Sequence, residues 1–160
     1  MRILAWNCCG LASARAVRAL LEIQKREKSD VIFLSESHLR KVKAEKLRRR
    51  VGFDHLILHE SDGRGGGSSA DVEKGNKNYC KGFSRFFIDV TVEDEVSWRL
   101  TGFYGEPKWD KKSDSWVQLR DLHGRMSRPW LVLGDFNEIL YNSEKEGGVP
   151  RPQRYMQAFP

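Results

Sequence analysis

Short apolar segments alternate with helical ones along the first third of the chain, and this alternation is the strongest constraint on its fold. Residues 2–6 and 30–36 are short apolar runs that predict buried strands. Residues 14–28 and 41–51 carry apolar side chains at helical spacing, and Ser13 is suited to cap the first of these helices. An alternation of strands and helices favours a sheet that is covered by helices.

The remaining segments predict a more mixed arrangement. Residues 55–59 predict a third short strand, and residues 84–92 and 98–105 predict the two strands of a hairpin. Residues 113–125 predict a helix, which leads into a strand at residues 129–137. The sequence has no internal repeat, and its 160 residues fit a single domain. We therefore predict an α/β (α+β) protein that is built from layered sheets covered by helices.

The segment from residue 61 to residue 78 differs in composition from the rest of the chain. It is rich in glycine and serine over residues 61–69 and stays polar through residues 74–78. Such a segment buries too little apolar surface to offset the entropy that is lost on ordering. We therefore predict a mobile loop at residues 61–78, which is long for a compact domain.

Composition excludes several classes of protein. No apolar run approaches the roughly 20 residues that span a bilayer, and the apolar run at the start of the chain ends at Asn7, which is too short for a signal peptide. Cys8, Cys9 and Cys80 form neither a disulfide framework nor a zinc-binding pattern, so reduced thiols in a cytosolic or nuclear protein are expected. Lys and Arg outnumber Asp and Glu by 28 to 22, and this modest basic excess suits a polyanionic partner.

Polar side chains stand where three predicted strands end. Asn7 ends the first strand, Glu36 ends the second, and Asp135 and Asn137 end the last. Functional residues collect at strand ends because the strand interior is used for packing. Carboxylate and amide oxygens are suitable ligands for Mg²⁺, which takes one or two carboxylates and keeps waters or phosphates as its other ligands. The sequence therefore predicts a magnesium site that is built from these strand ends.

Each of these residues also has a structural interpretation. Taken alone, Asn7 is better suited to bond the turn at Gly10 than to form a site. Glu36 is also suited to cap the next helix or to pair with Arg40, and Asp135-Phe136-Asn137 to form a turn after the strand. The coincidence of polar side chains at three strand ends favours a site over three separate structural roles.

The same strand ends carry motifs of a known family. In order along the chain they read Trp6-Asn7-Cys8-Cys9-Gly10, Phe33-Leu34-Ser35-Glu36-Ser37-His38-Leu39, Gly102-Phe103-Tyr104-Gly105 and Gly134-Asp135-Phe136-Asn137. This ordered set resembles the endonuclease/exonuclease/phosphatase superfamily, and most of all the endonuclease domain of plant LINE-type (non-LTR) retrotransposons. The resemblance covers most of the chain outside residues 65–80, and it implies a partial four-layer α/β/β/α sandwich of the DNase I-like type.

The resemblance implies a role for each motif residue in the hydrolysis of a DNA phosphodiester. Asn7 and Glu36 would lie at the site of a Mg²⁺ ion, or of Mn²⁺ in its place, with Glu36 as the principal ligand. Tyr104 would donate a hydrogen bond to the scissile phosphate, since a phenol stabilises charge on a non-bridging oxygen. Asp135 would orient or deprotonate the attacking water, and the Asn137 amide would hold a phosphate oxygen. A DNA substrate implies a nuclear protein, with the cytoplasm as the alternative.

The chain departs from the family pattern in two places. The family's terminal Ser-Asp-His motif does not occur before Pro160, and none of the four histidines of this chain stands in its position. We therefore expect residues 1–160 to be the N-terminal portion of one domain, with no catalytic histidine and with little or no nuclease activity. The second departure follows Gly66-Gly67, where the family continues into an apolar strand that is lost or replaced here.

Two other interpretations remain open. In the very basic helix at 41–51, we expect Val42, Leu47 and Val51 to face inward, with Gly52 as its end. The side chains of Arg48, Arg49 and Arg50 then either grip a nucleic-acid backbone without cleaving it or form a solvated helix face. The other interpretation is a degenerate gene product without a selected activity.

Overall fold

The computed structural model describes residues 1–59, 69–72, 79–93, 95–125 and 127–159. The chain divides into two compact units. The first comprises Met1–Tyr104 and Arg128–Gly134, and the second comprises Gly105–Ser127 and Asp135–Pro160. None of the helices in the described ranges is long and apolar enough to cross a membrane.

The first unit contains a four-stranded sheet in the order β1-β2-β4-β3. Its strands are β1 (Ile3–Asn7), β2 (Val31–Ser35), β3 (His55–Leu58) and β4 (Ser69–Val72). Strands β1 and β2 run parallel, whereas β4 runs antiparallel to both β2 and β3. The three strands that the sequence predicted in this region are confirmed.

Strand β4 corrects the predicted loop at residues 69–72, and of the two alternatives for the family's apolar strand after Gly66-Gly67, lost or replaced, it supports replacement. Residues 69–72 lie between β2 and β3 and pair with both, although their sequence is only Ser-Ala-Asp-Val. Backbone N–H and C=O groups supply this pairing, so a strand with two partners forms without the apolar run that the prediction required. Residues 61–68 and 73–78 of the predicted loop lie outside the described residues.

Two helices pack on one face of this sheet. Helix α1 (Ala14–Glu27) begins where the Ser13 side chain accepts a 3.1 Å hydrogen bond from Ala16 N, as the capping pattern predicted. Helix α2 (Lys41–Val51) ends at Gly52, whose φ of 86° is left-handed. Together with the sheet they bury an apolar cluster that includes Leu20, Ile32, Leu34, Ala44, Leu47 and Val51.

Val42 does not face inward as predicted. Its side chain is 69% exposed, and Ala44 takes the buried position in the first turns of α2. Residues 44, 47 and 51 share one helical face because they are three and four positions apart, whereas residue 42 lies on another face of the helix.

A second four-stranded sheet, in the order β5-β6-β7-β8, lies mostly in the same unit. Its strands are β5 (Tyr79–Phe83), β6 (Phe87–Val92), β7 (Trp98–Tyr104) and β8 (Trp130–Asp135). Strands β6 and β7 form the predicted antiparallel hairpin. Strand β5 was not predicted, because its sequence Tyr-Cys-Lys-Gly-Phe adjoins the polar segment and contains a glycine.

The two sheets of the first unit pack face to face. Val31 and Phe33 of β2 share an apolar cluster with Ile88, Val90 and Leu100 of the hairpin. Because side chains alternate along a strand, the inner strand β2 buries residues on both faces, and all five of its residues are buried. The predicted α/β class is confirmed, and the first unit has a helix–sheet–sheet layering.

A buried polar network occupies the other face of the β6–β7 hairpin. Arg99, which is 2% exposed, donates from Nε to both carboxylate oxygens of Asp89 at 2.8 and 3.0 Å. Thr101 Oγ1 donates to Asp89 Oδ1 at 2.6 Å and accepts from Trp130 Nε1 at 2.8 Å. The network therefore ties β6, β7 and β8 together, and loss of one charged partner would leave the other buried and unpaired.

The second unit contains helices α3 (Lys112–Gly124) and α4 (Gln153–Met156). Trp116, Leu119 and Leu122 are buried along α3, as its apolar spacing predicted. The ring of Phe159 packs against Trp116 and Phe136, with ring centroids 5.0 and 5.5 Å apart. Helix α4 was not predicted, since it is a single turn in a polar segment.

The close approach of the two sheets predicts the effect of Gly102→Ala. A Cβ at position 102 would lie 2.1 Å from Cδ2 of the buried Phe33 ring, so the substitution should destabilise the fold by about 1–3 kcal/mol. The control is Gly124→Ala at the end of α3, where a Cβ meets nothing within 4 Å and should be neutral or slightly stabilising. Urea denaturation measures both changes, and equal stability of Gly102→Ala and the parent chain would contradict the close packing.

Candidate functional site

The loops that follow β1 and β2 are joined by a backbone ladder. The parallel register places Asn7 opposite Ser35, so both strands end at the same sheet edge. Beyond the strands, Cys8 N donates to Ser35 O at 3.1 Å, and Gly10 N donates to Glu36 O at 2.7 Å. These bonds fix the residue that follows β2 beside the end of β1.

Glu36 occupies a left-handed backbone conformation. Its φ is 52°, and nearby Cys9 and His38 have φ values of 44° and 51°. Such a conformation costs a non-glycine residue about 1–2 kcal/mol, and it persists where surrounding bonds hold it in place. The backbone ladder supplies such bonds here. Residues in such conformations cluster at functional sites. The backbone of Glu36 is therefore a second indication of a site, in addition to its place at the end of a strand.

The Glu36 carboxylate is held by two side chains from other strands. Its Oε1 accepts a 3.2 Å hydrogen bond from Asn7 Nδ2 and a hydrogen bond from the Tyr104 hydroxyl. Tyr104 is the last residue of β7 and only 7% exposed, whereas Asn7 and Glu36 are half-buried. In the sequence, Asn7 lies 29 positions and Tyr104 lies 68 positions from Glu36. These three residues, all predicted from the sequence, therefore meet in the first unit.

The Glu36 carboxylate is the group in this arrangement that could hold a divalent cation. Glu36 supplies the negative charge, and both of its described hydrogen bonds fall on Oε1. The described residues contain no group of three or more His, Cys, Asp or Glu side chains suited to a metal, and Mg²⁺ binds proteins through as few as one carboxylate. Asn7 donates to Glu36 while its Oδ1 accepts from Cys9 N at 3.3 Å, so in this arrangement the Asn7 amide orients the carboxylate.

The thiol beside this cluster is not poised for chemistry. Burial raises the pKa of Cys8 to about 11, so the thiol stays protonated at neutral pH. Its Sγ donates to Ser35 O at 3.2 Å, which adds one more bond between the two strand ends.

Asp135 and Asn137 meet each other in the second unit. Asp135 Oδ1 accepts a 2.8 Å bond from Asn137 N, and Asn137 Nδ2 donates to Gly105 O at 2.8 Å. Gly105 N in turn donates to Asp135 O at 2.8 Å. A Cβ at position 105 would lie 2.1 Å from Phe136 O, so only glycine permits this approach. Asn137 has a φ of 53°, a conformation that asparagine tolerates better than most residues.

Three charged residues beside Asn137 were not predicted. Glu138, whose side chain is fully buried, forms ion pairs of 3.1 Å with Lys112 Nζ and with Arg151 Nε. Lys112 Nζ also donates to the backbone carbonyl of Asn137. Burial lowers the pKa of Lys112, and the adjacent Glu138 carboxylate opposes that shift. The partners are 26 and 13 positions apart, and no local pattern in the sequence relates them.

The basic residues of α2 have different surroundings. Arg48 donates to Glu45 Oε2 at 2.8 Å and to the carbonyls of Phe53 and Asp54, so its guanidinium closes the end of α2. Arg49 and Arg50 are exposed.

Arg50 also lines a groove of about 300 Å³ between the ends of α1 and α2. Lys25 and Lys28 contribute two further positive charges to this groove, and Leu21 and Val51 are among its apolar lining residues.

The sequence of this chain matches the model of the Endonuclease/Exonuclease/phosphatase family over residues 4–155. No curated protein matches it.

Several solved structures share the fold. An AP endonuclease from Archaeoglobus fulgidus is similar with a TM-score of 0.72 and 17% identity, covering 99% of this chain and 68% of that one. The endonuclease domain of TRAS1, a telomere-specific non-LTR retrotransposon, is similar with a TM-score of 0.65 and 16% identity, and the match covers 88% of this chain and 63% of that one. The 3′ phosphatase NExo from Neisseria, bound to a product DNA hairpin, has a TM-score of 0.63 and 20% identity, and the match covers 86% of this chain and 58% of that one.

The chain thus spans between 58% and 68% of the length of these three proteins. The resemblance inferred from the four motifs and the DNase I-like fold class are both confirmed. This chain belongs to the endonuclease/exonuclease/phosphatase family.

Proposed function

We propose that this chain carries the metal-binding part of a Mg²⁺-dependent phosphodiesterase that cuts DNA, with Mn²⁺ as a substitute ion. The observation that carries the proposal is the Glu36 carboxylate, which is held at the end of β2 by Asn7 and Tyr104 in a left-handed backbone conformation. The family to which the chain belongs is generally dependent on divalent metals.

Glu36 is the principal metal ligand in this proposal, and Asn7 holds its carboxylate in place. When bound there, Mg²⁺ would polarise the phosphoryl group and neutralise charge on its oxygens. The parallel pairing of β1 and β2 fixes the distance between Asn7 and Glu36 before any ion binds, so little ordering is required on binding.

Tyr104 has the role of a hydrogen-bond donor to a non-bridging phosphate oxygen. Its hydroxyl already points at Glu36 Oε1, and its backbone N donates to Phe86 O at 2.7 Å. A cation that takes Glu36 Oε1 would release this one O–H proton for a phosphate oxygen bound beside the ion. A phenol donor held at this point would stabilise charge that develops on that oxygen.

Asp135 and Asn137, which belong to the second unit, have two further proposed roles. Asp135 accepts the proton of the attacking water or orients that water, and the amide of Asn137 holds a phosphate oxygen. Asn137 Nδ2 carries two N–H groups, and the bond to Gly105 O uses one of them.

DNA is the proposed substrate for two reasons. The similar structures include an AP endonuclease, a retrotransposon endonuclease domain and a 3′ phosphatase bound to DNA. The net charge of +6 also favours association with a phosphate backbone. A DNA substrate places the proposed site of action in the nucleus, with the cytoplasm as the alternative.

The metal site predicts the effect of Glu36→Gln, which removes the charge and keeps the shape of the side chain. Loss of a residue that hydrogen-bonds to a metal ligand typically lowers metal affinity by about 10- to 100-fold. Loss of the ligand itself should therefore lower the affinity for Mn²⁺ by at least about 100-fold. Calorimetric titration with Mn²⁺ measures this without any need for turnover. The matched control is Glu22→Gln on the exposed side of α1, and an unchanged affinity of Glu36→Gln would refute the site.

Tyr104→Phe tests the role of the phenol. The substitution keeps the ring and deletes the donor, so affinity for a short DNA duplex in the presence of Ca²⁺ should fall about tenfold or more. The Mn²⁺ affinity should stay within a few-fold of the parent value, since Glu36 is retained. Tyr141→Phe, at a tyrosine that is 67% exposed, is the control. Equal duplex affinities for Tyr104→Phe and the parent chain would exclude the hydroxyl as a phosphate donor.

The groove between α1 and α2 favours a second candidate function, which is nucleic-acid binding without cleavage. Lys25, Lys28 and Arg50 line the groove, and within the described ranges none of them has an ion-pair partner. Basic residues in the last turns of helices also stabilise the helix dipole, which is their ordinary structural role. Binding that survives removal of the charges of Glu36 and Asp135 would favour this function over hydrolysis.

The groove predicts a change in the salt dependence of DNA binding. Lys25→Gln with Arg50→Gln removes two charges, which should reduce the slope of log affinity against log salt concentration by about 2. Fluorescence anisotropy with a labelled duplex in EDTA measures the slope. Lys43→Gln with Lys46→Gln, two exposed lysines of α2 outside the groove, should leave it unchanged. Equal slopes for both pairs would show that the groove has no special part in binding.

A further inference from the structure

A buried lysine in the second unit contacts the residue that is proposed to hold phosphate. Lys112 is the first residue of α3, and its side chain is 5% exposed. Its Nζ donates to the backbone carbonyl of Asn137 and lies 3.1 Å from Glu138 Oε2. One ammonium group therefore binds two consecutive residues of the segment that follows β8.

Charged and polar groups surround the buried ammonium group of Lys112. Glu138 is fully buried and is shared between Lys112 and Arg151, both at 3.1 Å. A buried ammonium group is stable only where carboxylate or carbonyl oxygens replace its lost water. Glu138 and the Asn137 carbonyl are two such oxygens, so Lys112 has little freedom to move.

The contact matters because Asn137 has an uncommon backbone conformation. Its φ is 53°, its N–H is bonded to Asp135 Oδ1, and its amide NH₂ is bonded to Gly105 O. The bond from Lys112 fixes the carbonyl end of the same residue. With both backbone ends held, the direction in which the Asn137 side chain points is determined by the protein before any ligand arrives.

We propose that Lys112, backed by Glu138, is a positioning residue that fixes Asn137 for contact with a DNA phosphate. The proposal rests on the phosphate-binding role of Asn137 in the proposed function. Lys112 itself makes no contact with substrate in this scheme. It acts on Asn137 through the carbonyl bond.

The experiment uses two readouts that do not require turnover. Backbone amide hydrogen exchange at Asn137 reports whether the segment is held, because this N–H is bonded to Asp135 Oδ1. The second readout is affinity for a short DNA duplex, which reports phosphate binding. It is measured with Ca²⁺ in place of Mg²⁺ so that cleavage is suppressed. Both are measured for the parent, Lys112→Met, Asn137→Ala and the double variant.

The expected result is coupling between the two positions. Lys112→Met should raise the exchange rate at Asn137 by at least about tenfold, because a hydrogen bond from a charged donor is lost. DNA affinity should fall to a similar extent in Lys112→Met and in Asn137→Ala, and the double variant should show no further loss. Lys112→Arg should restore part of the affinity, since a guanidinium retains the charge and the donors.

Further variants separate positioning from folding. Lys112→Met leaves the buried Glu138 carboxylate with Arg151 as its remaining ion-pair partner. The double variant Lys112→Met/Glu138→Gln removes both charges of the Lys112–Glu138 pair together. Lys111→Met, at the exposed neighbouring residue, is the control and should change neither readout. If Lys112→Met unfolds the chain, the Lys112→Met/Glu138→Gln variant supplies the same two measurements.

The failure of this inference is distinguishable from the failure of the proposed function. Unchanged hydrogen exchange at Asn137 in the Lys112 variants overturns the positioning role, as does an additive loss of DNA affinity in the double variant. If Asn137→Ala binds DNA as the parent does, the phosphate-binding role of Asn137 is wrong. Faster exchange at Asn137 in Lys112→Met would then still establish that Lys112 holds the segment, without a consequence for DNA.

Discussion

The parallel pairing of β1 with β2 is the interaction on which the first unit depends. Parallel neighbours end at the same sheet edge, so the register that aligns Asn7 with Ser35 also brings the two following loops side by side. The backbone bonds from Cys8 and Gly10 then continue the pairing past the strands and hold Glu36 in a left-handed conformation. Every residue of β2 is buried between the helices and the second sheet. The free energy gained from this burial and from strand pairing offsets the cost of the left-handed conformation of Glu36.

The second sheet brings the third member of the cluster to this edge. Tyr104 ends β7, and the hairpin of β6 and β7 is fixed on one side by the apolar cluster with β2 and on the other by the Asp89–Arg99 pair. A buried ion pair adds little net stability, since the cost of desolvating both charges offsets their attraction. Its value here is in specifying one arrangement. A shift of register between β6 and β7 would break the bond from Thr101 to Asp89, and a shift between β7 and β8 would break the bond from Trp130 to Thr101.

The second unit follows the same principle with different groups. The segment after β8 has a left-handed residue at Asn137, and polar contacts hold it on both sides through Gly105 and Lys112. In both units a residue in an uncommon backbone conformation carries a side chain of the chemistry proposed for it, a carboxylate in one and an amide in the other. Rigid support of this kind is what a site for a small hard cation and a phosphate requires, because both are bound through a few directional oxygen and N–H contacts.

Local patterns in the sequence determined most of the elements. The Ser13 cap, the Gly52 stop and the apolar spacing of α1 and α3 act within a few residues, so they were readable without a structure. The strand-end residues Asn7, Glu36 and Tyr104 were identified from their motifs, whereas their convergence depends on the pairing of β1 with β2 and on the packing of the second sheet. Only the tertiary structure decided the features that join distant residues. Strand β4 forms from backbone bonds to two partners, Arg48 is drawn to the carbonyls of Phe53 and Asp54, and Lys112 meets Glu138 across 26 positions. Backbone pairing between strands and ion pairing between buried charges depend on which groups the fold brings together. The periodicity of apolar residues along the chain does not indicate which distant groups will meet.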